Sequence, residues 1–379
     1  MAKILVLCAA NPAVNPRPNH MIELLKSKHQ VSAMGINTTP IKDVKIFSYP
    51  AYKKRNILQE LKLWVDVAFR KWEKLIYTYN RLKIIEVLKN CSFDVIICHD
   101  LVLLPIVLAH KKKAKILFDA REFYPVQNIT NLRWRILFAK FNDFLCKKYL
   151  PEADVIITVS EGLKKRYKED YGVDCKLFFS LPNYHNITPS IAEDKHIKLI
   201  YHGAANPNRK IQNTIKIIDY LESRFCLDLM LVNTDDKYMQ YLTKMIHKKQ
   251  LEGKKIRIIP PVTFEQIIPF SSHYDIGIYN IFPTNFNLKH ALPNKFFEYI
   301  QARLALVITP NQEMTPFIQK YRNGIIIKNF SAKKMAQAIN KLDIKTIQAY
   351  KKNSSEAAKK LNLDSNEKLL NEMIYSMLK

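Results

Sequence analysis

Short apolar runs alternate with amphipathic segments along almost the whole chain, and this alternation constrains the fold most strongly. The first runs include Ile4–Ala9, Phe93–Cys98 and Ala114–Phe118, and they are nearly continuous in apolar residues. Such runs are typical of strands buried on both faces of a parallel sheet. Because helical segments separate them, the sequence predicts an α/β protein built from repeated βαβ units.

The series of strands restarts near the middle of the chain. A second set of runs begins at Ile197–Tyr201 and ends at Ala305–Ile308, after a polar, proline-containing stretch at Asn186–Lys195 that is typical of a linker. A length of 379 residues also favours two domains. We therefore predict two doubly wound, Rossmann-like domains, at 1–188 and 196–345, facing each other across a cleft. Helices at 346–379 are expected to pack back toward the first domain.

The formal net charge is +26 at pH 7, which attracts nucleic acid, acidic membrane or phosphorylated substrates. A chain rich in Lys, Ile and Asn and poor in Gly also fits a simple compositional bias. No helix-turn-helix, RNP-like or zinc signature is present, so we expect no nucleic-acid partner.

Six cysteines are scattered and form no CxxC pair, which favours a reduced, cytoplasmic compartment. The N-terminal apolar run is too short for a signal peptide, and no run has the length of about 18 residues that a membrane span needs. We expect a cytoplasmic protein, peripheral on the inner face of the plasma membrane.

The stretch 52–89 is an expected long helix in which basic and aromatic residues interleave. Its aromatic residues are Trp64, Phe69, Trp72, Tyr77 and Tyr79, and its basic residues include Lys62, Arg70, Lys71, Lys74 and Arg81. One interpretation places the aromatics in the core and the charges in water. The other places a basic aromatic face on an anionic membrane or a lipid-phosphate acceptor.

Ligands of parallel sheets bind beyond the carboxyl ends of the strands, so polar residues there are the candidates. In the first half they are Asn11 and Arg17, then His99 and Asp100, then Asp119, Arg121 and Glu122. Arg17 is either an anion contact or a surface arginine. His99 and Asp100 either orient a hydroxyl and exchange a proton or serve as a structural histidine and a helix cap.

In the second half, two segments have the features of a phosphate site. Gly203 permits close approach of a ligand to the backbone, and Arg209 and Lys210 follow at a helix start. Farther on, Pro293 and Asn294 favour another helix start whose free amides can hold a phosphate. Lys295 lies beside them, and Glu298 lies one turn later, where its carboxylate could accept hydrogen bonds from both hydroxyl groups of a ribose.

The segment Pro293-Asn294-Lys295-Phe296-Phe297-Glu298-Tyr299 resembles the signature of the retaining glycosyltransferases of family 4, which have the GT-B fold. Similar family elements occur along the chain, at Asn15-Pro16-Arg17, His99-Asp100 with Leu104-Pro105, Asp119–Pro125, Val159–Leu163 and Leu181–Asn183. Arg209 falls where the family has a phosphate-binding Lys or Arg.

The resemblance implies a role for each candidate. Glu298 would bind the ribose, and Arg209 and Lys295 would face the diphosphate of a nucleotide-sugar donor. His99, Asp100, Arg121 and Glu122 would lie on the side of a saccharide or lipid-linked acceptor of a cell-surface glycan. The resemblance also implies retention of anomeric configuration, with the leaving phosphate as base, and no metal or other cofactor. The alternative function is a sugar-nucleotide enzyme without transfer, such as a 2-epimerase.

Four positions depart from the family pattern. His290 stands where the family has a Glu that contacts the donor sugar. Arg303 and Ala305 replace the Gly and Pro that follow the signature, and Arg121 replaces a His. These departures leave the donor sugar open.

Overall fold

The computed structural model describes all residues from 1 to 379 and divides them into two compact units. The first unit contains Met1–Phe179 and Asn366–Lys379, and the second contains Ser180–Ser365. None of the helices combines the length and the apolar composition that a membrane span requires. All six cysteines are free thiols.

The first unit is built on a seven-stranded sheet in which every paired strand is parallel, in the order β3-β2-β1-β4-β5-β6-β7. Its strands are β1 (Lys3–Leu7), β2 (Gln30–Ile36), β3 (Lys45–Tyr49), β4 (Val95–Cys98), β5 (Lys115–Ala120), β6 (Val155–Thr158) and β7 (Cys175–Leu177). Its helices are α1 (Pro16–Lys26), α2 (Ile57–Ala68), α3 (Trp72–Ile76), α4 (Leu82–Asn90), α5 (Leu104–His110), α6 (Leu132–Tyr149) and α7 (Glu161–Tyr171). The register pairs Leu7 with Cys98 and Cys98 with Phe118, so the carboxyl ends of β1, β4 and β5 lie side by side.

The second unit has a six-stranded sheet of the same kind, in the order β10-β9-β8-β11-β12-β13. Its strands are β8 (Ile197–Ala205), β9 (Phe225–Asn233), β10 (Ile256–Ile259), β11 (Ile276–Tyr279), β12 (Ala305–Ile308) and β13 (Gly324–Ile326). Its helices are α8 (Gln212–Ile215), α9 (Asp236–Leu251), α10 (Ile267–Ser271), α11 (Phe286–Lys289), α12 (Asn294–Gln301), α13 (Thr315–Tyr321), α14 (Ala332–Asn340) and α15 (Ile344–Ala358). The last helix, α16 (Leu363–Leu378), begins in this unit and ends in the first.

The predicted fold class, two doubly wound α/β sheets, is confirmed. Three strands were not predicted, namely β3, β7 and β13. Each of them ends one of the sheets, where a strand needs less apolar sequence because one of its edges has no neighbour.

The prediction of one long helix over 52–89 is wrong. The segment contains α2, α3, a 3₁₀ turn at Tyr79–Arg81 and α4. The chain leaves the helical conformation at Arg70, which has a φ of +51°. Arg81 then donates hydrogen bonds to the carbonyl groups of Leu75 and Ile76, at 2.8 and 2.9 Å, which fixes the end of α3.

The C-terminal segment is shared between the units. Residues 346–365 belong to the second unit, whereas residues 366–379 belong to the first. Within the first unit, Nδ2 of Asn366 donates to the carbonyl of Phe179 at 2.8 Å, and Glu367 pairs with Lys28 at 2.6 Å.

Candidate functional site

In the second unit, strand β8 carries near its carboxyl end a glycine that lies beside two basic side chains. Gly203 has a φ of +137°, a conformation that residues with a Cβ rarely adopt. A Cβ atom at this position would lie 2.7 Å from Nη1 of Arg209 and 3.0 Å from Nζ of Lys295. The glycine therefore lets two cations converge on the same turn of backbone.

Lys295 is buried in the first turn of α12, and no carboxylate is paired with it. Its Nζ donates to the carbonyl of His202 and lies 4.0 Å from the ring centre of Tyr201. Burial, reinforced by the charge of Arg209 and opposed by Glu298, holds the pKa of Lys295 well below its ordinary value. An anion bound beside Arg209 and Lys295 would offset the repulsion between them, so the site favours an anionic ligand.

The helix α12 begins at Asn294, as the sequence predicts, after Pro293 in an extended conformation. No side chain caps this helix start. The amides of a first helical turn have no partner within the helix and lie at the positive end of its dipole. Together with Lys295 and Arg209, these amides suit the oxygens of a phosphate or diphosphate.

Glu298 lies one turn into α12 and is only 5% exposed. No group of the chain donates a hydrogen bond to its carboxylate, and the nearest basic atom is Nε2 of His202, 3.5 Å from Oε2. Burial, opposed by the charge of Lys295, raises the pKa of Glu298 to about 7. Buried polar groups normally have hydrogen-bond partners. This carboxylate is therefore free to accept hydrogen bonds from a ligand's hydroxyl groups.

Lys210, which the sequence places with Arg209, has a different position. It is exposed, has a φ of +48°, and holds its Nζ 5.4 Å from the ring centre of Phe282. The structure thus brings together Gly203, Arg209 and Lys295 but not Lys210.

His290 forms a hydrogen-bonded pair with a carboxylate from farther along the chain. Its Nδ1 lies 2.8 Å from Oε1 of Glu313, and its ring centre lies 4.5 Å from that of Phe286. Asn311 fixes the turn before Glu313 by accepting its backbone N–H at 2.9 Å. The loop before α12 therefore carries an imidazole–carboxylate pair where the family pattern has one carboxylate.

Arg303 occupies a position that suits glycine, just after α12. Its φ is +61°, in the left-handed region, and its side chain is buried. The guanidinium donates to the carbonyls of Gln301 and His185 and lies 5.5 Å from the ring centre of Tyr184. These contacts stabilise an arginine where the family has Gly, so the departure is a structural substitution.

In the first unit, Arg17 and His99 both pair with the buried carboxylate of Asp119. Arg17 is buried, and its Nε and Nη2 donate to the two oxygens of Asp119 at 2.6 and 2.8 Å. His99 has no exposed surface, and its Nδ1 lies 2.8 Å from Oδ2 of the same carboxylate. Although burial alone would raise the pKa of Asp119, Arg17 and His99 hold it well below its ordinary value. Both side chains are therefore engaged with Asp119 inside the unit, which fits the structural alternative for His99 and makes Arg17 a buried residue and not a surface arginine.

Asp100, Arg121 and Glu122 lie together at the carboxyl ends of β4 and β5 and are partly exposed. Asp100 accepts the backbone N–H of Ala9 at 2.6 Å, and Nη2 of Arg121 at 3.1 Å. Burial, opposed by Arg121 and by a hydrogen bond from Gln127, raises the pKa of Glu122. These three side chains form the open polar cluster of the first unit.

Asn11, the remaining candidate, holds its own loop. Its Oδ1 accepts the backbone N–H of Ala13 at 3.0 Å, and its Nδ2 donates to Oγ1 of Thr39 at 3.2 Å. The side chain is half-buried, and both of its polar groups are engaged within the unit.

Comparison with known proteins shows what this arrangement resembles. Residues 41–183 match the model for Glycosyltransferase Family 4. This match lies almost entirely in the first unit and does not include the segment Pro293–Tyr299. No curated protein matches the sequence significantly.

Solved structures of glycosyltransferases share the fold over nearly the full chain. HepE of Anabaena, in complex with UDP and glucose, has a TM-score of 0.74 at 11% identity, covering 99% of this chain and 100% of that one. Sucrose-phosphate synthase of Thermosynechococcus elongatus has a TM-score of 0.74 at 12% identity, covering 99% of both chains. A glycosyltransferase from Rickettsia africae has 0.70 at 14%, covering 100% and 99%. This protein has the GT-B fold, and its residues 41–183 match a glycosyltransferase family model.

Two further residues of the second-unit site, His202 and Glu313, are not predicted from the sequence. His202 is buried between Lys295 and Glu298, and its Nε2 has no hydrogen-bond partner. Burial, with Lys295 and Arg209, holds the pKa of His202 well below its ordinary value, so the imidazole is neutral. Glu313 was missed because nothing in its local sequence ties it to His290. His202 had one available signal, its place directly before Gly203 near a strand end.

Proposed function

We propose that this protein transfers a sugar from a nucleoside-diphosphate sugar to a saccharide or lipid-linked acceptor of a cell-surface glycan, with retention of configuration. The observation that carries the proposal is the buried carboxylate of Glu298, which has no donor of its own and lies one helical turn from Lys295. A ribose supplies two adjacent hydroxyl donors, and a diphosphate supplies the anion that Arg209 and Lys295 lack.

In this proposal the second unit holds the donor. The diphosphate lies against the first turn of α12, with Arg209 and Lys295 stabilising the charge that grows on it as the sugar leaves. These two cations supply positive charge at the leaving group, so we propose that the reaction needs no metal. The complex of HepE with UDP and glucose makes UDP-glucose the first donor to test.

The acceptor is assigned to the first unit. Asp100, Arg121 and Glu122 are its open polar side chains at the carboxyl ends of β4 and β5, and they suit the orientation of acceptor hydroxyl groups. Attack on the face from which the phosphate leaves, with that phosphate as base, would retain the configuration. The anomeric coupling constant of the first product formed, measured by proton NMR, distinguishes retention from inversion.

A screen of nucleotide sugars tests the proposal. The protein is titrated with UDP-, GDP-, ADP- and CMP-sugars, and the one that binds is then incubated with and without candidate acceptors. Release of free nucleoside diphosphate that depends on an acceptor supports a transferase. Conversion of the sugar without any acceptor would instead favour the 2-epimerase.

Donor binding is expected to weaken as the pH falls from 8 to 6. Ribose hydroxyls bind the ionised form of Glu298, and the pKa of this group is about 7 in the free protein. The phosphates of a nucleotide sugar do not titrate in this range, so the change reports on the protein. Calorimetric titrations across this range measure it, and the Glu298→Gln variant should lose most of the dependence. An unchanged profile in that variant would assign the dependence to another group.

Gly203→Ala is expected to reduce donor affinity by about tenfold or more, because the added Cβ displaces the side chains of Arg209 and Lys295. Each hydrogen bond from a charged side chain to the donor contributes ~1.5–3 kcal/mol to binding. Gly253→Ala is the matched control: Gly253 also has a positive φ, of +75°, but nothing lies within 4 Å of its Cβ. Calorimetry with the identified donor compares the two variants. Equal affinities would show that the crowding at Gly203 has no role in binding.

A further inference from the structure

The helix α2 turns its apolar side toward the solvent. Five of its side chains are between 40% and 80% exposed, and we call them the apolar stripe: Ile57, Leu58, Leu61, Trp64 and Val65. Their spacing places them on one face of the helix. Leu63 and Asp66, on the other side, are buried against the fold. A helix of a soluble domain normally buries its apolar face, so this one lacks its partner surface.

Basic side chains surround the apolar stripe. The exposed ones near it are Lys53, Lys54, Lys62, Arg70 and Lys71. The acidic residues of α2 are both paired: Glu60 accepts Nε of Arg133 at 2.7 Å, and Asp66 lies 3.3 Å from Nζ of Lys74. The free surface of α2 is therefore apolar and basic, the composition of helices that lie on anionic bilayers.

A cavity of about 1040 Å³ adjoins this helix within the first unit. Five basic residues line it against a single acidic one, Asp66; we call it the basic cavity, and its basic residues are Lys53, Arg55, Lys62, Lys74 and Arg81. Lys74 is engaged by Asp66, and Arg81 by backbone carbonyls of α3. Lys53, Arg55 and Lys62 have no acidic partner, so the cavity attracts an anion.

Aromatic side chains supply the rest of the cavity's lining. The guanidinium of Arg55 lies 4.6 Å from the ring centre of Tyr52, which in turn lies 5.3 Å from that of Tyr79. Trp134 and Phe138 also line the cavity. A cavity lined by both basic and aromatic side chains can contact the phosphate of a lipid and also the apolar chain next to that phosphate.

We propose that the basic cavity binds the phosphate or pyrophosphate of a lipid-linked acceptor, while the apolar stripe rests in the surface of an anionic membrane. This proposal rests on the proposed transferase function and names its acceptor class. The cavity and the stripe share the helix α2. A lipid that lies in the bilayer beside this helix would therefore have its phosphate next to Lys53 and Lys62.

The positive charge of the protein favours a membrane over a second copy of the chain as the partner of the apolar stripe. A second copy of this chain would bring another net charge of +26 toward the same basic surface, which opposes self-association. An anionic bilayer offers opposite charge and apolar depth at once, and Trp64 is the residue type that concentrates at membrane interfaces.

Co-sedimentation of the full chain with vesicles tests this inference. The vesicles are phosphatidylcholine alone, phosphatidylcholine with phosphatidylglycerol, and phosphatidylcholine with a polyprenyl phosphate at matched charge. Wild type should bind both anionic kinds and prefer the polyprenyl phosphate. The double variant Leu58→Ser/Leu61→Ser should reduce binding to both by about tenfold or more, since it removes apolar surface from the bilayer. Leu251→Ser, at an equally exposed leucine of the second unit, is the matched control.

The variant Lys53→Ala/Lys62→Ala isolates the basic cavity. It should lose the preference for polyprenyl phosphate by about tenfold while keeping part of the binding to phosphatidylglycerol, because the apolar stripe and the other basic side chains remain. An unchanged preference would overturn the cavity assignment. Three results would overturn the lipid assignment. The first is that the protein does not bind vesicles, and the second is that it forms a dimer that the stripe variant abolishes. The third is that it binds inorganic pyrophosphate but no lipid. Vesicle binding needs no donor, so these results are independent of whether nucleotide sugars bind.

Discussion

Glu298→Ala is expected to lower kcat/KM by about 10² to 10⁴-fold and to weaken donor binding in parallel. Two ribose hydroxyls that donate to a buried carboxylate contribute ~1.5–3 kcal/mol each, and each 1.4 kcal/mol is about tenfold. The loss should appear with the complete nucleotide sugar and with the nucleoside diphosphate alone, since both contain the ribose. It should be absent with inorganic pyrophosphate, which has no ribose. Calorimetry with the three ligands and a turnover assay measure the effect.

A second substitution, Glu298→Gln, separates the effect on binding from the effect on folding. The folded-state pKa of Glu298, about 7, is above the value of ~4.3 for an unfolded chain. The stability associated with its protonated form is therefore fully present below about pH 4 and is lost as the pH rises through 7. At pH 8 the ionised carboxylate costs on the order of 3 kcal/mol, at 1.36 kcal/mol per pKa unit. Glu298→Gln should thus melt at a higher temperature than wild type at pH 8, with a smaller difference at pH 5.

Controls make this result specific. Glu265→Ala removes an exposed carboxylate of the same unit and should leave both affinity and melting temperature unchanged. If Glu298→Ala keeps wild-type turnover with a folded protein, the assignment of Glu298 to the ribose is wrong.

Arg209→Ala should weaken binding of the nucleoside diphosphate by about 10- to 100-fold, the equivalent of ~1.5–3 kcal/mol for a lost charge-assisted hydrogen bond. Turnover should fall further than affinity, because the arginine also stabilises charge on the leaving diphosphate. Arg209 is half-buried and near Lys295, so its removal relieves repulsion and should not impair folding. Arg209→Lys should restore part of the activity, since it keeps the charge but not the planar fork.

Lys210→Ala is the matched control for this prediction. It removes the same charge from the next residue, but its Nζ lies over Phe282 and away from Gly203. Its effect on affinity should be threefold or less, about the size expected of an exposed charge. Equal losses in the two variants would mean that the site senses general positive charge and not the converging pair.

The second-unit cluster could be inferred from sequence because its members sit at local signals. Gly203 follows an apolar run, and Asn294 starts a helix after proline, so Lys295 and Glu298 take positions that helical geometry fixes. The convergence of Arg209 and Lys295 on Gly203 depends on β8 and α12 being neighbours, which the doubly wound pattern implies.

The first unit was harder to predict because its key contacts are distant in sequence. Arg17 looked like a loop residue, but it lies in α1, donates to both oxygens of Asp119 on the strand β5, and donates from Nη1 to the carbonyl of Phe178. The sequence also does not show which face of α2 is buried. The helical period places Ile57 and Leu61 on one face, but it does not say whether that face packs inside the protein or faces the solvent. Arg70 interrupts the long helix without any Gly or Pro to signal the break.

Calorimetric titration of the wild-type protein with UDP-, GDP-, ADP- and CMP-sugars is the decisive test of a nucleotide-sugar site in the second unit. We expect one of these families to bind, its nucleoside diphosphate to compete for the same site, and both Glu298→Ala and Arg209→Ala to weaken the binding. No binding by any of the four, or binding that neither substitution changes, would contradict a nucleotide-sugar site at Gly203 and α12.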